Sequence, residues 1–190
     1  QDYEVYPYVA PYYNKVHVVP ITMDVLSQKP FFPDVLQSQP LVIHAPTNPL
    51  FKGTEHIERA IERLREEGLS FRYRRIEKLS NEEALKLYQE ADIVVDQILC
   101  GSYGMLAVES MSLGKPVVGY LREDLLPLYP AVPPIVSAHP DNIYEVLREV
   151  ILSPTLRVEK GREGRKFAQT YHDVRIVSRQ LLEIYREIFT

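Results

Sequence analysis

Short apolar runs alternate with amphipathic segments over most of the chain. The runs at 41–45, 92–99 and 115–121 are rich in Val, Ile and Leu, a composition typical of strands that are buried on both faces. Residues 54–67 place their apolar side chains at the three-four spacing of one helix face, and Gly68 follows as a stop signal. Strands that alternate with helices in this way predict a parallel sheet with helices packed on both sides.

The remaining elements follow from the same reasoning. Residues 70–77 alternate between polar and apolar side chains and predict a further strand. Ser80 and Glu83 form a capping-box pattern, which predicts a helix that continues to about residue 90. The other predicted elements are a helix at 104–113, a strand at 133–138 and helices at 141–152, 155–170 and 174–189. The predicted fold class is therefore α/β, a doubly wound, Rossmann-like parallel sheet with helices at the C-terminus.

The first 40 residues differ from the rest of the chain because they are rich in Tyr and Pro. Proline removes a backbone donor and is excluded from helix interiors, so this region predicts an extended N-terminal arm with one short strand at 16–19. The aromatic side chains would form an exposed sticky patch unless they cover another surface. We therefore expect an arm and linker at 1–40 and an α/β domain at 41–190.

Composition and charge narrow the possible functions. The chain carries 22 Lys and Arg against 26 Asp and Glu, and the net charge of −4 argues against non-specific binding of nucleic acid, which requires a basic surface. Cys100 is the single cysteine, so no intrachain disulfide can form, and the 5 histidines lack the spacing of zinc ligands. A reducing, cytoplasmic compartment fits this cysteine content, and we expect no metal site.

Common sequence motifs are missing as well. The chain contains neither the G-x-G-x-x-G nor the G-x-x-x-x-G-K-[ST] pattern of nucleotide-binding loops, and it lacks the G-x-S-x-G elbow of Ser-His-Asp hydrolases. No apolar run approaches the ~20 residues of a membrane span, so we expect neither a membrane span nor a secretory signal. Because the sequence begins with Gln1 rather than Met, we expect a fragment or a processed product.

Two loops at the carboxyl ends of predicted strands carry candidate chemistry, since ligands of open parallel sheets bind beyond those ends. In the first loop, residues 44–56, Lys52 and Gly53 stand where the chain turns into a helix, so Lys52 could reach a phosphate near the helix-start amides. The alternative, which the spacing alone favours, is a solvated surface lysine. His44 is open in the same way, since it could contact a ligand or be a hydrogen-bonded histidine at a strand end.

The second loop, "LCGSYG" at 99–104, leads into a helix that is apolar on nearly every side. Gly101 and Gly104 allow the backbone to approach a ligand closely or to adopt a positive φ, and Ser102 offers a hydroxyl. The backbone amides at the helix start point toward the loop, as an anion site requires. These amides belong to Tyr103, Gly104, Met105 and Leu106.

Glu109 is the one carboxylate within this helix. Helical side chains lean toward the N-terminus, so Glu109, one turn after Met105, leans toward the same loop. A carboxylate there could accept two hydrogen bonds from a ribose diol, as acidic residues do in dinucleotide-binding folds. The alternative is a structural pair with a buried lysine or a backbone amide, because an unpaired buried charge is costly.

Four stretches of the sequence match the pattern of one enzyme family. "GSYGMLAVESMSLGKPVV" (101–118) resembles E-G-F-G-L-x-x-x-E-A-M-A-x-G-x-P-V-V, and "FKGTEHIERAI" (51–61) resembles a K-G loop with its following helix. "VVPITMDVLSQKPFFP" (18–33) is similar to an interdomain linker, and 171–189 is similar to a pair of terminal helices. Together they resemble the C-terminal domain of the retaining GT-B glycosyltransferases, the group 1 family. The resemblance covers nearly all of the chain from about residue 16.

This resemblance implies a site for a nucleotide-sugar donor. It implies that Lys52 contacts the donor diphosphate, that Glu109 accepts hydrogen bonds from the ribose, and that the strand end at 75–78 lies near the base. The nucleoside diphosphate sugar would be a substrate, and neither a cofactor nor a metal is implied. No catalytic residue is assigned. The implied donor-binding residues are Lys52, Gly101, Ser102, Tyr103, Gly104, Met105, Leu106 and Glu109.

The chain departs from the family pattern in three ways. Gly101 stands where the family has the first glutamate of its E-x7-E pair, which faces the transferred sugar. The arginine that precedes the family's K-G lysine has no counterpart in "PTNPLF" (46–51). The N-terminal GT-B domain, which holds most of the acceptor site, has no room in 190 residues. We therefore expect the isolated chain to be inactive, and its parent to contain that domain and to associate peripherally with a membrane.

Three hypotheses follow from these observations. The first is the donor-binding domain of a glycosyltransferase, which transfers a sugar to an acceptor only together with the N-terminal domain. The second is a non-catalytic binding or interaction module of the same fold, which the loss of the acid at Gly101 and of the arginine favours. The third is a different α/β enzyme, such as a sugar epimerase with the same two-domain architecture.

Overall fold

A single parallel sheet forms the centre of the protein, whose computed structural model describes residues 3–189 apart from the side chains of Asn81 and Phe189. The strands are Leu41–His44 (β1), Arg72–Arg75 (β2), Ile93–Val95 (β3), Val117–Gly119 (β4) and Val136–Ser137 (β5). They lie in the order β2-β1-β3-β4-β5, and each pair of neighbours is parallel. The predicted α/β fold with a parallel sheet is confirmed.

Helices connect the strands, as the alternation in the sequence predicts. They are α1 (Tyr6–Val9), α2 (Pro49–Lys52), α3 (Thr54–Glu66), α4 (Asn81–Glu90), α5 (Met105–Ser112), α6 (Ile143–Leu152), α7 (Pro154–Tyr171) and α8 (Val174–Phe189). The capping box that begins α4 is present: the Glu83 amide donates to Ser80 Oγ at 3.3 Å, and the Ser80 amide donates to Glu83 Oε2 at 2.9 Å. Four short helical segments were not predicted: α1, α2, which lies within the loop predicted at 44–56, and two 3-10 segments, Ala10–Tyr12 and Glu123–Leu128.

The two faces of the sheet carry separate parts of the core. Successive strand residues point to opposite faces, so Val42 of β1 packs with α3 and α6, whereas Ile43 packs with α4 and α5. Helix α7 covers α5 from outside. Gly161 of α7 lies so close to Gly114 that a Cβ atom at Gly161 would overlap the carbonyl oxygen of Gly114. This contact requires a glycine and brings α7 down onto α5.

Helix α5 is buried along almost its whole length. Met105 is 47% exposed, but every residue from Leu106 to Ser112 is buried. The hydroxyls on this helix bond back to its own carbonyl groups: Ser110 Oγ donates to Leu106 O, and Ser112 Oγ donates to Glu109 O, each at 2.7 Å. The polar side chains of α5 are therefore satisfied inside the protein rather than by solvent.

The N-terminal segment departs from the predicted extended arm. Residues 16–19 form no strand, and the one backbone bridge nearby joins Met23 to Asp173. Residues 6–12 are helical, because Pro7 and Pro11 stand at the beginnings of α1 and of the first 3-10 segment. Proline is favourable at a helix start, where its missing N–H costs nothing, although it is excluded from helix interiors. The prediction of an extended arm considered only the exclusion of proline from helix interiors.

Candidate functional site

The order of the strands creates a crevice between β1 and β3. From β1 the chain continues to β2 on one side, and from β2 it returns to β3 on the other, so the loops after β1 and β3 diverge. Lys52 lies in the connection after β1, and Gly104 lies in the connection after β3. Lys52 Nζ is 3.6 Å from the position that a Cβ would take at Gly104. The structure therefore brings together the lysine and the helix start that the sequence singled out.

Local structure fixes the position of Lys52. Asn48 caps α2 by accepting a hydrogen bond from the Phe51 amide at 3.2 Å. Gly53 then reverses the chain with a φ of 77°, and a Cβ there would come 2.7 Å from Ile98 Cγ1. The Lys52 carbonyl accepts a hydrogen bond from the Ile98 amide at 3.2 Å. The K-G pair therefore holds the short α2 against the loop that follows β3.

Lys52 is not a solvated surface lysine, because its ammonium group is paired within the protein. Its side chain is 10% exposed, and its Nζ lies 2.5 Å from Asp96 Oδ1. The other oxygen of this carboxylate, Oδ2, accepts a hydrogen bond from the Gly104 amide at 3.1 Å. Asp96 therefore bridges Lys52 and the Gly104 amide, the two groups that the sequence predicted to donate hydrogen bonds to a phosphate. Sequence reasoning missed Asp96, although an acid placed directly after a buried strand is a signal that could have identified it.

A cleft of about 760 Å³ opens beside this bridge. Gln97 extends into the same region: its Oε1 is 3.6 Å from the Cβ position at Gly104, and its Nε2 donates to the carbonyl of Ser102. Three of the eight predicted donor-binding residues line the cleft, namely Ser102, Tyr103 and Gly104. The other lining residues are Glu4, Val5, Tyr8, Ile21, Phe51, Gln97, Leu99, Cys100 and Arg122.

The hydroxyl groups of Ser102 and Tyr103 have structural partners. Ser102 Oγ lies 2.9 Å from the hydroxyl of Tyr129, and Tyr103 Oη lies 3.0 Å from His172 Nε2. The Tyr129 ring in turn packs against Tyr3, with ring centroids 4.0 Å apart. Burial raises the pKa of Tyr103, so this phenol stays protonated. The two side chains thus join the loop after β3 to the N-terminal segment and to the end of α7.

A second, smaller cleft of about 360 Å³ is lined by the loop after β1 and by the connection from β2 to α4. Its lining includes Ile76, Glu77 and Lys78 from the strand end at 75–78, which the resemblance places near the base, together with Leu79 and with Tyr88 of α4. Burial raises the pKa of Tyr88 to about 12, and the charges of Glu109 and Asp96 act in the same direction. Glu109 itself is buried, with 8% of its surface exposed. The structure therefore places Glu109 near the tyrosine that borders this second cleft.

Gly101 is required by its surroundings. Its φ of 72° lies in the left-handed region, and a Cβ atom there would overlap Cγ and Cδ of Arg122. The Gly101 carbonyl also accepts a hydrogen bond from the Arg122 amide at 2.9 Å. The guanidinium of Arg122 lines the 760 Å³ cleft and donates through Nε and Nη2 to Asp124, at 3.0 and 2.6 Å. An arginine stem therefore occupies the space beside the position where the family pattern has a glutamate.

His44 is a core histidine rather than a ligand-binding one. It is fully buried, its Nδ1 donates to the Val95 carbonyl at 2.9 Å, and its Nε2 accepts from Thr54 Oγ1 at 2.8 Å. His172 is arranged similarly, since Nδ1 donates to the Ile21 carbonyl at 2.8 Å and Nε2 accepts from Tyr103. Both rings have two partners and are held neutral. The open question left by the sequence for His44 is therefore answered.

The two histidines give a testable pH dependence. Burial lowers the pKa of His44 and of His172, so the folded protein binds fewer protons than the unfolded chain below a pH of about 6.5. Stability should therefore be complete above that pH and should fall below it, by at most about 1.4 kcal/mol per histidine for each pH unit. Urea denaturation between pH 5.5 and 7.5 measures the slope, and His44→Gln and His172→Gln should each reduce it. An unchanged slope in both variants would contradict the assignment.

Among residues whose placement is described, no group of three His, Cys, Asp or Glu side chains is arranged to hold a metal ion. A search of the same residues finds no helix with both the length and the apolar character needed to cross a bilayer.

Leu106, another predicted donor-binding residue, is buried in the core with 6% exposure, and its side chain does not line either cleft.

The fold is that of known glycosyltransferases. Sucrose-phosphate synthase from Thermosynechococcus elongatus is similar with a TM-score of 0.69 at 16% identity, and the match covers 96% of this chain and 56% of that one. HepE from Anabaena, solved with UDP and glucose, is similar with a TM-score of 0.64 at 13% identity, covering 90% of this chain and 56% of the other. This chain thus spans about half the length of these enzymes.

A third solved structure covers a comparable unit. The C-terminal domain of the glycosyl transferase group 1 family protein LpcC from Francisella tularensis is similar with a TM-score of 0.53 at 17% identity, and the match covers 80% of this chain and 99% of that one. No family model matches the sequence, and a search of curated proteins gives no match. The resemblance to a C-terminal GT-B domain is confirmed at the level of the fold.

Proposed function

We propose that this chain is the donor-binding part of a glycosyltransferase and binds a nucleoside diphosphate sugar at the crevice between β1 and β3. The observation that carries the proposal is the meeting of Lys52 Nζ with the amide end of α5 at Gly104, at a position where parallel sheets bind ligands. Solved structures with this fold include HepE in complex with UDP and glucose, which supports the same class of ligand.

The two clefts support one orientation of the donor. The base would enter the 360 Å³ cleft beside Ile76 to Leu79, and the ribose would approach Glu109 near Tyr88. The diphosphate would then reach Lys52 and the Gly104 amide, and the sugar would extend into the 760 Å³ cleft. In this proposed arrangement the base, the ribose, the diphosphate and the sugar would follow one another in the order in which a nucleotide sugar joins them.

The chemistry would rest on electrostatic stabilisation of the leaving diphosphate. Negative charge develops there as the bond to the sugar breaks, and a cation together with helix-start amides lowers the energy of that charge in a site protected from water. Lys52 and the amides from Gly104 onward would supply this stabilisation. Transfer also needs an acceptor, and we propose that an N-terminal domain of the parent protein binds it, since this chain spans about half of the enzymes it is similar to.

Calorimetry with UDP, GDP and their sugars tests the donor site. We expect weak binding by the wild-type chain, and we expect Glu109→Gln to weaken it about tenfold, because hydrogen bonds to a charged acceptor are worth about 1.5–3 kcal/mol. Inorganic pyrophosphate, which has no ribose, should bind both chains equally. Glu82→Gln is a matched control on the surface of α4, where Glu82 only pairs with Lys86.

The alternative is a non-catalytic interaction module of the same fold. The side chains of Tyr8, Tyr12 and Tyr13 favour it, since they are 70%, 82% and 66% exposed on the N-terminal segment. That hypothesis is tested by light scattering of the chain alone and after Tyr12→Ser. Self-association that is lost in the variant, combined with no calorimetric heat at millimolar UDP or GDP, would reject the donor site in favour of the module.

A further inference from the structure

The charges at the phosphate position are already balanced from within the protein. Asp96 is 1% exposed, and each of its oxygens accepts from one of the proposed phosphate donors, Lys52 Nζ at 2.5 Å and the Gly104 amide at 3.1 Å. Asp96 follows directly on β3, which is paired on both sides, and its amide donates to the Val118 carbonyl at 2.8 Å, so its backbone is fixed at the crevice. The lysine and the carboxylate together carry no net charge.

We propose that Asp96 is a resident counter-ion that competes with the donor diphosphate for Lys52 and the Gly104 amide and so sets the affinity for the donor, a proposal that rests on the proposed function. A diphosphate that contacts Gly104 has to take over the amide donor that Asp96 holds, and it has to share the Lys52 ammonium group with the carboxylate. The carboxylate stays within a few ångströms of the incoming phosphate and repels it. Asp96 is thus a positioning residue that acts through Lys52 and lowers affinity for the anionic part of the donor alone.

The space around Gly104 favours this exchange. The Cβ position at Gly104 faces Gln97 Oε1 at 3.6 Å, Lys52 Nζ at 3.6 Å and Asp96 Oδ2 at 3.7 Å, so three polar groups converge on a point that a side chain would fill. Lysine has three N–H donors, and Asp96 uses one of them in this arrangement. Lys52 can therefore turn toward a phosphate at Gly104 while its nitrogen stays near Asp96. The exchange requires no change in the backbone.

The test is the substitution Asp96→Asn, which removes the charge and keeps the shape and an acceptor oxygen. Calorimetry with uridine, UMP, UDP and inorganic pyrophosphate should show affinity gains that grow with the charge of the ligand. We expect no change for uridine and a gain of roughly tenfold for UDP and pyrophosphate, as close charge repulsion is removed. A purely structural role for Asp96 would change all ligands equally or weaken them.

Asp92→Asn is the matched control. Asp92 stands at the other end of the same strand, is 7% exposed, and likewise accepts a backbone hydrogen bond, from the Leu41 amide at 2.8 Å. Its substitution should leave all four affinities unchanged. If Asp96→Asn does not fold, NMR of the wild-type chain with ¹³C-labelled aspartate carboxyl groups replaces it. UDP or pyrophosphate should shift the Asp96 carboxyl resonance and leave that of Asp92 unchanged. An unchanged Asp96 resonance would overturn the proposal.

The outcomes separate this proposal from the proposed function. If UDP binds the wild type and Asp96→Asn binds it equally or more weakly, the donor site stands and the counter-ion proposal is overturned. If no nucleotide binds but Asp96→Asn gains affinity for pyrophosphate, the counter-ion proposal stands and the nucleotide-sugar function fails. If neither chain binds any of the four compounds, both are overturned.

Discussion

Lys52→Met is expected to destabilise the fold by about 3–5 kcal/mol, because it leaves the Asp96 carboxylate buried without its cation. The two side chains are 10% and 1% exposed, so water cannot replace the lost ammonium group. The Gly104 amide still donates to Asp96, but one neutral donor does not compensate a full buried charge. Urea denaturation at neutral pH measures this loss as a lower midpoint with little change in slope.

A double-mutant cycle separates the charge from the packing of Lys52. The double variant Lys52→Met/Asp96→Asn leaves no charge unpaired. Adding Lys52→Met to Asp96→Asn should therefore cost much less than Lys52→Met costs in the wild type. Lys86→Met is the surface control, since Lys86 and Glu82 are 67% and 81% exposed and their ion pair should contribute less than about 1 kcal/mol. An equal loss from Lys52→Met in both backgrounds would show that packing, rather than the ion pair, holds this lysine.

This coupling also affects how the function is tested. A loss of nucleotide binding in Lys52→Ala has two possible origins, the missing phosphate contact and the unpaired carboxylate beneath it. Under the proposed function Glu109 contacts the ribose, so Glu109→Gln tests the donor site without removing the cation that pairs with Asp96. The sharper test of Lys52 is therefore Lys52→Met combined with Asp96→Asn, in a chain whose stability has been measured first.

Much of the fold could be predicted from local patterns. The apolar runs, the capping box at Ser80 and the glycine after the helix at 54–67 each depend on neighbouring residues, and those elements are present in the structure. The N-terminal segment could not be predicted in this way. Whether Pro7 begins a helix or interrupts one depends on where the helix starts, and the local pattern of Tyr and Pro residues does not specify that start.

The site shows the same limit. The sequence identifies Lys52 and Gly104 because a K-G pair and a glycine before a helix are local signals. It does not show that Asp96 lies between them, since that contact depends on how the connections after β1 and β3 meet across the crevice. The burial of Lys52 likewise depends on tertiary contacts and not on the local sequence. A lysine in a loop is expected on the surface, whereas the fold places the Asp96 carboxylate beside Lys52.

The absent acid at Gly101 has a physical explanation that leads to the second prediction. Gly101→Ala should destabilise the fold by about 2–5 kcal/mol, the sum of a left-handed φ for a non-glycine residue and an overlap with the Arg122 stem. Gly68→Ala is the matched control. Its φ is 84°, also left-handed, but nothing lies within 4 Å of the Cβ position, so it should cost only about 1–2 kcal/mol.

Shortening Arg122 should remove the difference between the two glycine variants. Arg122→Ala deletes Cγ and Cδ, the atoms that a Cβ at Gly101 would overlap, and leaves the Arg122 Cβ at 3.1 Å. In that background Gly101→Ala should cost about as much as Gly68→Ala, as thermal or urea unfolding would show. If the cost stays high, the backbone and not Arg122 excludes a side chain. If it falls, the arginine and the glycine form one unit, and Arg122 excludes an acidic side chain at position 101.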